Sequence, residues 1–139
     1  MNPGAPVINV NRGSTPAEIN AAIDWVLADT EQNGIFAVAN LSTSGPDFVD
    51  NAATRHANYI RRASNRVLFV ESAGNVRVNA CSWAYSRTHP RDGILVVGGT
   101  DENDWEALGY DNTANLGVYE AGTNLGFCID VWAPSQRIM

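Results

Sequence analysis

Basic charge is scarce in this sequence: 9 Lys and Arg stand against 15 Asp and Glu, for a net charge of −6. A general nucleic-acid binder needs a basic footprint, so that class is excluded. No apolar run is long enough to span a membrane. The opening stretch MNPGAPVINV has no charged region followed by an apolar one, so no signal peptide is expected there. Cysteine is rare as well. Cys81 and Cys128 form no CxxC pair and have no His/Cys neighbours at zinc spacing. They are either two unrelated buried thiols or one disulfide closing a long loop, which would imply an oxidising compartment. Repeats, low-complexity tracts and interdomain linkers are absent, as are GxGxxG and GxxxxGK[ST]. A nucleotide-binding doubly wound domain therefore has only Gly98-Gly99, after a strand, in its favour.

What is present suits one globular domain with a real core: 139 residues, 45% hydrophobic and 17% charged. Val7-Ile8-Asn9-Val10 reads as a short strand. Thr15-Pro16-Ala17-Glu18 is a strong helix start, with Thr15 as cap, Pro16 at the first helical position and Glu18 to complete a capping box. Ile19, Ala22, Ile23 and Val26 continue at helical spacing until Asn33-Gly34 stops them. A continuous apolar strand follows over 35–39. A second helix is predicted over about 47–64, with Val49, Ala53, Ala57 and Ile60 as its apolar stripe. Arg55, Arg62 and Arg66 fall near its other, solvated face. Further strands are predicted at 67–70, 94–97 and 128–132, and residues 99–127 read as an irregular excursion. Strands without polar alternation, separated by helices, predict an α/β fold: a parallel sheet with helices on both faces.

In open sheets of this kind, ligands bind beyond the carboxyl ends of the strands. Two stretches fall there: Asn40-Leu41-Ser42-Thr43-Ser44-Gly45 and Ser72-Ala73-Gly74-Asn75. An asparagine ending the apolar run VLFVESAGN either satisfies its own turn or offers a fixed N–H donor to a developing oxyanion, which Asp cannot do.

The run Val67 to Asn75 resembles the strand and Ala-Gly-Asn turn of the subtilisin-like serine peptidases (subtilases). Four more stretches agree in order. Asn40-Leu41-Ser42 with Ser44-Gly45 resembles the Asn-x-Ser-x-Gly-Gly substrate strand. Val96-Val97-Gly98-Gly99-Thr100-Asp101 resembles Val-Gly-Ala-Thr-Asp. Ile129-Asp130-Val131-Trp132-Ala133-Pro134 resembles Val-Asp-x-x-Ala-Pro. Pro3-Gly4-Ala5 before Val7 resembles the entry to the strand after the histidine helix. The match covers nearly the whole chain.

The resemblance implies a subtilisin-like α/β fold, with residues 1–139 as a central part of the peptidase domain. It implies that Asn75 is the oxyanion-hole donor. Leu41, Ser42, Thr43 and Ser44 would pair with an extended peptide, and Ser72, Ala73 and Gly74 would form the opposite wall. Cysteines in matching places are paired in one branch of the family, which favours a Cys81–Cys128 disulfide and secretion. The chemistry requires no cofactor. A structural calcium belongs to full-length members, and Asp130 is a weak metal candidate here. The implied partners are a peptide or protein substrate and the remaining segments of the peptidase domain, with neither nucleic acid nor membrane.

The triad is missing from these residues. His56 and His89 lie outside the family's histidine motif and read as surface histidines, and no serine sits in a nucleophile setting. The segment is therefore expected to be inactive alone. The alternative is a catalytically dead subtilase-like domain that binds peptide or acts as a scaffold. Departures from the family pattern include Ser44 and Ser135 for glycine, Ser86-Arg87 for Ser-Pro-Ala, and a longer passage over 109–127. Asn40-Leu41-Ser42 is a formal glycosylation sequon, expected to be buried and unmodified.

Overall fold

The computed structural model describes residues 6–11, 15–42, 66–82, 94–107 and 122–135. Helix α1 (Pro16–Asn33) begins and ends as its sequence dictates. The Thr15 hydroxyl accepts from the Glu18 N–H (3.3 Å), and the Glu18 carboxylate accepts from the Thr15 N–H (2.9 Å). At the other end Gly34 takes a left-handed conformation (φ 63°) and donates back to Glu31 and Thr30. A side chain would resist that conformation.

Four parallel strands follow: β1 (Ala37–Leu41), β2 (Val67–Ser72), β3 (Ile94–Thr100) and β4 (Val131–Pro134). They lie in chain order, β1-β2-β3-β4. The register pairs Ala37 with Val67, Phe69 with Ile94 and Val97 with Val131. One sheet face therefore carries Val67, Phe69, Ile94 and Val96, all buried. They form one core with Ile19, Ile23 and Leu27 of α1. The apolar stripe of α1 is what covers this face.

The opposite face carries Val38, Leu68 and Val131, which are 70%, 42% and 40% exposed. The helix predicted over about 47–64 lies outside the described residues, as do His56 and His89.

The structure corrects several sequence-based boundaries. Residues 7–10 are not a strand; they pair with no described strand, and Val7 and Ile8 stand exposed. β1 starts two residues later than the apolar run, because the ladder opens only where Ala37 meets Arg66 and Val67. Phe36 is left outside, under the Arg66 guanidinium at 5.5 Å from the ring centroid. Arg66 is thus a turn residue stacked on an aromatic rather than part of a solvated helix face. β2 and β3 run longer than predicted, to Ser72 and Thr100. β4 starts at Val131, not Cys128, because Ile129 N–H turns back to Gly126 O (3.2 Å).

Candidate active site

The carboxyl ends of the strands open onto a cleft of about 370 Å³. Ser42 lines it from beyond β1, Ser72 from the end of β2, and Gly74 and Asn75 from beyond β2. Gly98 and Thr123 complete much of the floor. The two stretches singled out in the sequence thus meet at one cleft. Leu41 is half-buried at the end of β1, opposite Glu71. Ala73 is buried in the core cluster beneath the cleft. Thr43 and Ser44 lie outside the described residues.

β1 is the edge of the described sheet. An edge strand offers N–H and C=O groups to an added extended chain. At its end the Asn40 amide donates to the Ser42 hydroxyl (2.8 Å). Asn40 is exposed, contrary to the buried sequon expected from the sequence. Its alternation along β1 places it on the uncovered side of the sheet.

The turn after β2 is tightly specified. Ala73 N–H still bonds Val97 O (2.9 Å), one step past the strand. Gly74 then takes φ 98°, which favours glycine. Its N–H donates to the Ser72 hydroxyl (3.2 Å). Asn75 follows, exposed at the cleft wall. Its backbone carbonyl accepts from Gly122 N–H (3.2 Å), and no described residue bonds its side-chain amide. An amide held at its backbone but open at its head is suited to donate N–H to a ligand.

Gly98 is required by a close approach. A Cβ there would lie 2.7 Å from the Trp132 ring, so the ring packs directly on the backbone of the cleft floor.

Cys81 and Cys128 form a disulfide that spans a separation of 47 residues. It ties the segment after the Asn75 turn to the approach of β4. Such a loop closure is worth about 4 kcal/mol in the chain-entropy account. Asp130 carboxylate accepts from Val96 N–H (2.8 Å) while Asp130 N–H donates to Val96 O (2.9 Å). That carboxylate splices β4 to β3. Among the described residues no group of three or more His, Cys, Asp or Glu could hold a metal. Among them, too, no helix is long and apolar enough to cross a membrane.

Sequence reasoning missed the 122–126 segment, which lies along the Asn75 turn as bridges Val76↔Gly122 and Asn79↔Leu125. Thr123 and Asn124 are buried polar residues within it. They follow no helical or strand period, so only the fold reveals their partners.

No family model matches the sequence. Over 137 residues the chain is 28% identical to the alkaline extracellular protease of Yarrowia lipolytica, covering 92% of this chain and 26% of that protein. Over 133 residues it is 28% identical to the extracellular serine proteinase of Thermus sp. strain Rt41A, covering 95% and 27% respectively. The chain therefore spans about a quarter of the length of these relatives. The fold matches the crystal structure of a cold-adapted subtilisin-like serine proteinase with a TM-score of 0.60 at 24% identity, over 91% of this chain and 38% of that one. In sequence the chain is similar to extracellular serine proteases, and in fold it is a part of the subtilisin-like α/β architecture.

Proposed function

We propose that residues 1–139 are a central part of a secreted subtilisin-like serine endopeptidase, contributing the oxyanion donor and a substrate wall. The observation that carries this reading is the place of Asn75: it is exposed and lines the cleft, on a turn held by the bond from Gly122 N–H to its backbone carbonyl. In this reading a serine attacks the scissile carbonyl and a histidine takes its proton. Both come from segments outside these residues. As the carbonyl becomes tetrahedral, its oxygen gains charge, and the Asn75 N–H stabilises it. The substrate backbone adds to the free edge beyond β1, along Leu41 to Ser44, with Ser72 to Gly74 opposite. By itself the 139-residue segment cleaves nothing.

Val38, Leu68 and Val131 would gain by burial against the rest of a peptidase domain. No catalytic cofactor enters the scheme; calcium elsewhere in the full-length protein would be structural.

The test is Asn75→Ala in the complete peptidase. Loss of one oxyanion donor lowers turnover by roughly 10²–10³, with subtilisin itself as the measured case. The expected result is a loss of that order in kcat with KM changed little. An unchanged kcat would remove Asn75 from the chemistry.

A further inference from the structure

Asn124 is completely buried, with 0% of its surface exposed. Burying a primary amide is costly unless its donors and acceptor are used. Here they are spent on one short stretch of chain. The side-chain Nδ2 donates to Ala73 O (2.7 Å). The side-chain Oδ1 accepts from Val76 N–H (3.2 Å) and Val78 N–H (3.1 Å). Its own backbone N–H donates to Gly74 O (2.8 Å). Two N–H donors at the oxygen and a carbonyl at the nitrogen fix which way the amide points.

These bonds fall on both sides of Asn75. Ala73 and Gly74 precede it, and Val76 and Val78 follow. Among the described residues, Asn75 itself is held through its carbonyl, by Gly122 N–H (3.2 Å). Past Ser72 the chain has left the β2 ladder, and the Ala73 N–H bond to Val97 O is its last bond to β3. The turn would otherwise have unpaired carbonyls and amides, and Gly74 gives it extra freedom. Asn124 supplies what the sheet no longer does.

The clamp is itself anchored. The neighbouring Thr123 hydroxyl accepts from Gly99 N–H of β3 (2.9 Å), and Thr123 N–H donates to Ala107 O (3.0 Å). Four residues on, Cys128 is bonded to Cys81. The turn is thus referred to β3 and to the disulfide, and not only to its own strand.

We propose that Asn124 is a positioning residue that holds the 73–78 turn in the one conformation presenting the Asn75 amide to the cleft. This rests on the reading of Asn75 as an oxyanion donor. The side chain has to be asparagine. Ionised aspartate has no donor for Ala73 O, serine lacks the reach for three partners, and leucine has neither kind of group.

The experiment uses the complete peptidase, a peptide p-nitroanilide that the wild type cleaves, and amide hydrogen exchange. Asn124→Ala should lower kcat by roughly 10-fold or more with KM within about twofold, because a misplaced donor is lost mainly in the transition state. Added to Asn75→Ala, it should cost less than about twofold further, since both act through one group. Exchange at Val76 and Val78 should accelerate by about 10-fold or more. Asn124→Asp keeps the acceptors, so those two amides should stay protected while kcat still falls. That variant carries the test if the alanine does not fold.

Wild-type kcat in Asn124→Ala would overturn the proposal. So would an equal loss in the Asn75→Ala background, or unchanged exchange at Val76 and Val78. A distinct failure is Asn75→Ala with full kcat. That sinks the oxyanion reading, and the exchange pattern then decides the clamp alone.

Discussion

The two halves of the run from Val67 to Asn75 are built for different purposes. In the first half, Val67 and Phe69 are each 1% exposed and lock into a core with Ile19 and Ile23. Their contacts are apolar and non-directional. In the second half, Ala73 to Asn75 leaves the sheet and is held by directional bonds from Ser72, Gly122 and Asn124. The strand supplies stability, and the turn beyond it supplies a placed amide. A rigid element ending in a bonded turn holds the Asn75 side chain at the cleft without burying it.

Phe69→Ala should cost about 3–5 kcal/mol, as truncation of a fully buried aromatic leaves a cavity. Denaturant unfolding of the complete protein should register that loss, while kcat per folded molecule stays near wild type. A large drop in kcat at full folding would mean that the two halves are not separable.

The disulfide tests the support of the turn. Replacing both Cys81 and Cys128 by serine should cost about 4 kcal/mol through the freed loop. Thermal unfolding with and without reductant checks this. A melting temperature indifferent to reductant would contradict the stabilising role given to the loop closure.

The smallest effect lies farthest from the turn. Thr15→Ala removes the α1 cap and should cost about 1 kcal/mol. Kinetic constants should not move, because α1 packs on the core face and contributes nothing to the cleft. A changed KM would show that α1 reaches the site.

How legible each part was follows from how local its causes are. α1 was readable to the residue, since Thr15, Glu18 and Gly34 act within a few positions of one another. The parallel order of the strands was readable from their apolar runs, yet their ends were not. Ala37 begins β1 because Val67 lies opposite, a fact held by the partner strand. Cys128 falls outside β4 because the Ile129 N–H after it bonds back to Gly126 O instead of into the ladder. The place of Asn75 at the cleft was legible from its position after an apolar strand. Asn124 was not. Its partner Ala73 is 51 positions away, and nothing near Asn124 in sequence announces that bond.

The most direct test of the central claim separates ground state from tetrahedral state. A peptide boronate forms a tetrahedral adduct with the serine, whereas an uncleaved peptide of the same sequence binds without one. In the complete peptidase, Asn75→Ala should weaken the boronate by roughly 10²–10³ and leave the uncleaved peptide's affinity nearly unchanged. Equal weakening of both, or of neither, would contradict a donor that acts on the oxyanion.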